Sequence, residues 1–265
     1  MNRLPSYFLP HGAGPCFFME WSPPDAWDRM AAYLTGLAER LPARPRALLV
    51  VSAHWLEPAF TVATAERPEL IFDYYGFPEH TYRLTYPAAG DPGLARRVAA
   101  LLQDAGLAAR EDPARGLDHG VFVPLKLAFP AADIPVVPLS LRIDLDPAAH
   151  LAAGRALAPL RDEGVLILGS GMSFHNMRGY GDPRYGPISD TFDAWLAEAV
   201  AEPDAAAREA ALSGWAEAPG GLQSHPKGQE EHLLPLMVAA GAAGPGHRDF
   251  SDRVMETTLS AFRFD

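Results

Sequence analysis

Cysteine is nearly absent from this chain of 265 residues, which has only Cys16. No disulfide can form within the chain, so a secreted domain stabilised by internal disulfides is excluded. The apolar stretch before Pro10 is short and is interrupted by Pro5, which predicts that it is not a signal peptide. No uncharged apolar run reaches the roughly 18 residues that a membrane helix requires. These absences predict a cytoplasmic protein with no membrane partner.

An excess of positive charge is absent as well. The chain has 22 basic and 33 acidic residues, which give a formal net charge of −11. An acidic surface disfavours polyanions, so we expect no nucleic-acid partner. Hydrophobic residues make up 48% of the chain and charged residues 21%, which is typical of a globular protein. The length predicts a single domain over residues 1–265, whose oligomeric state the sequence leaves open.

Apolar runs alternate with amphipathic segments along the chain. Continuous runs predict buried strands over 47–52, 134–141 and 165–168, and a last strand within 254–264. Apolar residues three and four positions apart predict helices over 22–41, from 91 onward, and over 147–160, 190–200 and 231–240. Ser22 is expected to cap the first helix, and Pro138 indicates an edge strand or a bulge. The alternation predicts a layered α/β domain.

The nine histidines are more informative by position than by number. His54 follows the predicted strand 47–52, His175 follows 165–168, and His11 follows a short apolar stretch. Ligands of open α/β sheets bind outside the carboxyl ends of the strands, so these side chains are expected to converge. One histidine at a strand end is more often structural, whereas several together favour metal binding and acid–base chemistry.

The other histidines and Cys16 have simpler interpretations. His119 is predicted in a loop between Asp118 and Gly120, and His232 near the start of a helix. Surface or loop positions are expected for His80, His150, His225 and His247. Cys16 is predicted to be a small buried hydrophobe rather than a nucleophile. Several catalytic motifs are missing from the sequence, namely a G-x-S-x-G nucleophile elbow, a complete dinucleotide fingerprint and an H-E-x-x-H pair.

Six short motifs in a fixed order resemble one known family. They are His11-Gly12, Ser52-Ala53-His54-Trp55, Asp73-Tyr74-Tyr75-Gly76-Phe77-Pro78, Leu117-Asp118-His119-Gly120, Gly169 to Asn176, and His225-Pro226 followed by Glu231-His232-Leu233-Leu234-Pro235-Leu236. Together they resemble the class III extradiol ring-cleavage dioxygenases, in the branch that contains 4,5-DOPA dioxygenase. The resemblance runs from about residue 7 to residue 260, nearly the whole chain.

This resemblance implies a fold, a metal and roles for individual residues. The fold is a three-layer α/β/α single domain with a mixed central sheet, and the substrates are a catechol and dioxygen. The implied metal is non-haem Fe(II), with Zn(II) as the alternative because an all-histidine site also suits zinc. The implied ligands are His11, His54 and His232, with His175 either a further ligand or only the acid–base residue. His119 is the second catalytic candidate, and both His119 and Tyr75 are expected to bind the substrate.

Two other functions stay open at this point. Histidine sites with nearby carboxylates also activate water, so a zinc-dependent hydrolase is one alternative. A non-catalytic binding protein on the same fold is the other, although the presence of all five histidines argues against it. The ring substituents of the substrate and the position of cleavage, 4,5 or 2,3, are left open. Candidate contacts to those substituents are Arg178, Tyr180 and Arg184.

Overall fold

Eight strands form one mixed sheet in the computed structural model, which describes residues 3–265. The strands are β1 (Ser6–Pro10), β2 (Ala47–Glu57), β3 (Phe60–Ala63), β4 (Ala109–Asp112), β5 (Val136–Arg142), β6 (Val165–Gly171), β7 (Gly246–Val254) and β8 (Thr257–Phe264). Their order across the sheet is β4-β3-β5-β2-β6-β1-β8-β7. Strands β5, β2, β6 and β1 run parallel, and β8 and β7 continue the sheet in antiparallel pairing.

Helices cover both faces of this sheet. They are α1 (Asp28–Thr35), α2 (Pro92–Asp104), α3 (His119–Ala128), α4 (Pro147–Leu157), α5 (Gly186–Ala201), α6 (Ala205–Ser213), α7 (Gly221–Ser224) and α8 (Leu234–Gly241). Helices α1 and α3 pack in the core on one face, and α2, α4, α5, α6 and α8 pack in the core on the other. The three-layer α/β/α architecture with a mixed sheet is therefore confirmed.

The central strands are continuously apolar because both of their faces are covered. Along β2, Leu48 and Val50 point into the core with α1 and α3, whereas Leu49 and Val51 point into the opposite core. All four side chains are buried. Burial of each such side chain stabilises the fold by about 1.5–3 kcal/mol, which explains why the run 47–52 is apolar without alternation.

Aspartates begin several of the helices. The Asp91 carboxylate accepts a hydrogen bond from the Leu94 backbone N–H at 2.9 Å, and Pro92 occupies the first turn, as the sequence predicts for this helix. Equivalent caps are provided to α3, α4 and α6 by Asp118, Asp146 and Asp204. Each cap satisfies a backbone donor that the first turn of a helix leaves unpaired.

Two of the predicted helices are shorter in the structure. The helix predicted over 22–41 begins only at Asp28 and ends at Thr35, so the prediction that Ser22 caps it is wrong. The backbone turns before Asp28, and Gly36 follows the last helical residue. The helix predicted over 231–240 begins at Leu234. His232 therefore precedes this helix instead of lying within it, and Pro235 occupies its first turn.

Pro138 lies on an interior strand, so the expectation of an edge strand is wrong. Its strand, β5, lies between β3 and β2 in the sheet. Pairing with β3 is limited to Val62 and Leu139, whereas pairing with β2 is continuous from Val136 to Leu139. A strand with so little pairing on one side has room for a residue that lacks an N–H group.

Two histidines expected at the surface or in a loop are fully buried. His150 Nδ1 donates to the Asp146 carbonyl at 2.7 Å, and Nε2 accepts from the Arg142 backbone N–H at 3.1 Å. His225 follows α7, and its Nε2 donates to the Ser173 carbonyl at 3.0 Å. His80 and His247 are exposed and Cys16 is buried, as predicted.

Across the part of the chain that the structure describes, no helix combines the length and apolar character needed to cross a bilayer.

The buried His150 makes stability depend on pH. Burial lowers its pKa from 6.5 to about 4, although the hydrogen bond to Asp146 opposes the change. Below pH 6.5 this histidine binds a proton in the unfolded chain but stays neutral in the folded protein, so His150 alone lowers the free energy of unfolding by about 3 kcal/mol between pH 6.5 and 4. Urea unfolding of metal-free protein at a series of pH values measures this. His150→Gln should be less stable at pH 7.5 and should show a smaller decrease; an unchanged pH slope would contradict the assignment.

Candidate metal centre

The carboxyl ends of three neighbouring parallel strands meet at one edge of the sheet. His11 directly follows β1, and its backbone N–H donates to the Gly171 carbonyl at the end of β6 at 3.2 Å. His175 lies four residues beyond the end of β6. These positions agree with the predicted convergence of histidines outside the strand ends.

His54 lies within β2, not beyond its end as the sequence predicts. Pairing of β2 with β6 stops at Ser52, and the register with β5 shifts between Val51 and Leu56. His54 therefore occupies an irregular part of an otherwise regular strand. Such bulges change the direction in which side chains point and are common beside active sites.

His232 reaches the same edge from the segment that precedes α8. The Met172 backbone N–H donates to the His232 carbonyl at 2.9 Å, which joins this segment to the end of β6. Gly171 permits the close approach, because a Cβ at this position would lie 2.1 Å from the His232 carbonyl oxygen. A glycine is thus required where β6 supports the His232 segment.

The imidazoles of His11, His54 and His232 form a compact group. The Nε2 atoms of His11 and His54 are 3.1 Å apart, and one ring nitrogen from each of the three lies within 4.8 Å of the others. Nitrogens that bind one metal ion at about 2.0–2.1 Å lie roughly 3 Å apart. The His11–His54 separation already has this value.

Hydrogen bonds determine which ring nitrogens are free. The Ser170 hydroxyl donates its proton to the Gly120 carbonyl, so Ser170 Oγ can only accept from His11 Nδ1, 3.1 Å away. His232 Nδ1 donates to Glu231 Oε1 at 2.9 Å. Nε2 of both rings is consequently unprotonated. Metal-binding histidines show this arrangement, with the second nitrogen donating to a neighbouring oxygen.

Burial keeps the three imidazoles neutral. It lowers the pKa of His11 and of His232 well below the ordinary value, and neighbouring histidines lower both further. The pKa of His54 is also lowered, chiefly by burial and then by His119. Histidine binds metals only in its neutral form. Three neutral rings, each with one nitrogen within 4.8 Å of the other two, fit a divalent cation.

His175 lies against this group. Its ring stacks on that of His232, with centroids 3.4 Å apart and planes inclined by 13°. Burial and the nearby His119 lower the pKa of His175 to about 4. Its Nδ1 is buried, lies 3.9 Å from Glu231 Oε1 and has no hydrogen-bond partner among residues 3–265. His175 therefore carries a ring nitrogen that can accept a proton or contact a metal ion.

His119 is oriented by Asp73. Asp73 Oδ1 accepts hydrogen bonds from the His119 backbone N–H at 3.0 Å and from Nδ1 at 2.8 Å, which fixes the orientation of the ring. Burial raises the pKa of Asp73, but the hydrogen bonds and charge of His119 outweigh burial and lower it overall. The second oxygen of Asp73 lies 3.8 Å from His54 Nδ1. One carboxylate thus faces both histidines.

A buried aspartate connects α3 to β2. The prediction of a loop at His119 is wrong, because His119 is the first residue of α3 and Asp118 is its N-cap. Asp118 Oδ1 accepts from the Ser52 hydroxyl at 2.7 Å, and Oδ2 accepts from Arg115 Nη2 at 2.7 Å. Ser52 Oγ in turn accepts from the His54 backbone N–H at 3.2 Å. This network fixes the relative positions of His119 and His54.

A cavity of about 280 Å³ opens over the histidines. Six of the predicted site residues line it, namely His11, His54, His119, His175, His232 and Tyr180. Tyr75 is not brought to this cavity, since its side chain is 91% exposed and is not part of the lining. Other lining residues were not predicted from the sequence, among them Trp21, Trp27, Phe77 and Met255.

Comparison with known proteins places these features in context. A family model described as the catalytic LigB subunit of aromatic ring-opening dioxygenase matches residues 5–260. Dioxygenase tasH of Hapsidospora irregularis is 40% identical over 263 residues, 92% of this chain and 79% of that protein. The 4,5-DOPA dioxygenase extradiol of Beta vulgaris is 39% identical, with coverage of 92% and 88%. That of Escherichia coli K12 is 34% identical, with coverage of 91% and 86%.

A solved structure has the same fold. The crystal structure of an uncharacterised Escherichia coli K12 protein superposes with a TM-score of 0.78 at 29% identity, over 99% of this chain and 100% of that one. The similarity therefore extends along nearly the whole chain in both sequence and structure.

Removal of one converging imidazole should abolish tight metal binding. His54→Ala is expected to weaken Fe(II) and Zn(II) affinity by more than about 100-fold, because loss of a ligand costs more than loss of a residue that supports one. Competition with a chromophoric chelator measures this affinity. His247→Ala removes an exposed histidine and serves as the matched control. Unchanged affinity in His54→Ala would disprove the ligand assignment.

Proposed function

The chain belongs to the LigB family of aromatic ring-opening dioxygenases and is an extradiol dioxygenase; we propose that it cleaves a catechol beside its two hydroxyl groups at an Fe(II) ion bound by His11, His54 and His232. The observation that carries this proposal is the convergence of three neutral imidazoles on one point at the floor of the cavity. Family membership supports the reaction class, and the donor set supports a divalent cation.

The metal has a specific part in this proposal. Bound Fe(II) would supply the redox chemistry that dioxygen requires and would lower the pKa of the catechol hydroxyls. Zn(II) fits the same nitrogen donors but has no redox chemistry, so a zinc-loaded protein is expected to bind catechols without cleaving them. Proton transfer and orientation of the substrate are assigned to side chains of this chain.

His175 is the residue that we propose moves the proton. It is neutral at physiological pH because burial lowers its pKa to about 4. Its Nδ1 is buried without a hydrogen-bond partner in the described part of the chain, and its ring stacks on the ligand His232. A neutral imidazole in this position takes a proton from a catechol hydroxyl and returns it to the opening ring.

His119 is the residue that we propose orients the substrate. Because Asp73 holds its Nδ1–H, Nε2 is the ring nitrogen that would hydrogen-bond with a catechol hydroxyl. The His119 ring lies 3.9 Å from the His54 ring, so a substrate bound there would be adjacent to the ligand group. Tyr75, exposed and away from the cavity lining, has no role in this proposal.

Oxygen uptake tests the reaction. Protein reconstituted anaerobically with Fe(II) and then given a catechol and air should consume one dioxygen per catechol. The product should be a yellow ring-opened semialdehyde, seen by absorbance and identified by mass spectrometry. Zn(II)-loaded protein is the control and should consume no oxygen. If no catechol is turned over and zinc binds tightly and stoichiometrically, the dioxygenase proposal fails and a hydrolase or a binding protein becomes the better interpretation.

Replacement of His175 tests the proton-transfer role. His175→Ala should retain Fe(II) and lower kcat by about 10²–10⁴-fold, the usual contribution of an acid–base residue. Metal content measured by mass spectrometry and kcat measured by oxygen uptake give the two readouts. Loss of iron together with activity would instead assign His175 to the ligand set.

A further inference from the structure

Apolar side chains form the walls of the cavity above the histidines. The walls consist mainly of Trp21, Trp27, Phe77, Met172, Met177 and Met255. Within residues 3–265, the lining contains no lysine, arginine, aspartate or glutamate. We infer, on the basis of the function proposed above, that the enzyme selects a catechol with an uncharged, mainly apolar substituent. It is expected to discriminate against L-DOPA, whose side chain carries an ammonium and a carboxylate group.

The polar groups in the walls do not supply a charge. Tyr180 lines the cavity, but its hydroxyl already donates to the Phe174 carbonyl at 2.8 Å. The indole N–H of Trp27 is buried and has no hydrogen-bond partner among the described residues. This N–H is a neutral donor, so it can hydrogen-bond to a substrate oxygen but cannot neutralise a charge.

The basic residues considered from the sequence do not reach the cavity. Arg184 pairs with Asp182 at 2.5 Å and its side chain is 84% exposed. Arg178 is exposed and is not part of the lining, although its neighbour Met177 is. Arg253, close in sequence to Met255, pairs with Asp190 at 2.6 Å. A substrate carboxylate would thus find no cation in the wall of the cavity.

Charge and size together determine the selectivity. A charged substituent moved from water into an apolar wall loses hydration that nothing there replaces. The cavity volume of about 280 Å³ lies at the lower end for ligand pockets, which suits one ring with a short substituent. The expected discrimination is about tenfold or more in kcat/KM for each unpaired charge.

A series of catechols whose ring substituents are built on a three-atom chain tests the effect of charge. Fe(II)-reconstituted enzyme is compared on 4-propylcatechol, dopamine, 3,4-dihydroxyphenylpropionate and L-DOPA. We expect 4-propylcatechol to have the highest kcat/KM, about tenfold or more above each singly charged compound, and L-DOPA the lowest. An L-DOPA value equal to or above that of 4-propylcatechol would overturn the inference.

A binding assay distinguishes failure of this inference from failure of the proposed function. Trp21 and Trp27 line the cavity, so quenching of tryptophan fluorescence in Zn(II)-loaded protein reports catechol binding without turnover. The dissociation constants should follow the same order as the kinetic series. An absence of turnover on every catechol would refute the proposed function, whereas the binding order would still support or overturn the selectivity.

Substitutions at two neighbouring positions, 177 and 178, test the wall of the cavity directly. Met177 lines the cavity and is 68% exposed, so an arginine fits there without being buried. Met177→Arg should raise kcat/KM for 3,4-dihydroxyphenylpropionate relative to 4-propylcatechol by about tenfold, and Met177→Leu should leave the ratio unchanged. Arg178→Ala is the matched control and should not alter the ratio. A selective loss with carboxylate substrates in Arg178→Ala would overturn the inference, because it would show that Arg178 reaches the bound substrate.

Discussion

The parallel pairing of β6 with β1 on one side and β2 on the other positions the metal centre. Pro10 lies opposite Gly171, and Ser52 lies opposite Ser170, so the pairing of β6 with its two neighbours ends at nearly the same level on both sides. His11 and His54 lie just beyond this level. On the middle strand, the hydroxyl of Ser170 and the carbonyl of Gly171 accept hydrogen bonds from His11. A slip of one residue in either pairing would turn every side chain of a strand to the opposite face. The site therefore depends on register before it depends on any single side chain.

Two environments with opposite requirements share one cavity. Its floor holds imidazoles whose Nδ1 atoms hydrogen-bond to Ser170, Glu231 and Asp73, which leaves Nε2 of each of these rings free of those contacts. His54 Nε2 lies 3.1 Å from His11 Nε2, close enough for both nitrogens to bind one cation. The walls are apolar and provide no charge. Polar groups are thus concentrated at the point where a metal ion and two hydroxyl groups would meet, and apolar side chains line most of the rest of the cavity.

The sequence predicted the features that depend on local pattern. The run 47–52 could be identified as a strand because both faces of a central strand are buried, and Asp91-Pro92 has the chemistry of a helix start. The predicted convergence of histidines followed from a general property of α/β sheets. The family resemblance identified the same residues, so the two arguments support each other.

The features that the sequence could not predict depend on distant contacts. The burial of His150 depends on the backbone of Arg142, and that of His225 on Ser173. Asp73 stood within a family motif, but its contact with His119, 46 residues away, has no local signal. Tyr75 belonged to the same motif and is nonetheless exposed. Pro138 indicated reduced pairing of its strand, but not that a neighbouring strand would still lie on the side with little pairing.

The three proposed ligands come from the beginning, the first quarter and the end of the chain. His11 follows the first strand, and His232 precedes the last helix. A metal ion bound by both would close a loop that contains most of the protein, as a long-range disulfide does in proteins that have more than one cysteine. Such a cross-link disfavours the unfolded chain, so the bound metal would stabilise the fold as well as take part in the reaction. Loss of the metal would then shorten the lifetime of the folded protein, and a cell would lose the enzyme itself along with its activity.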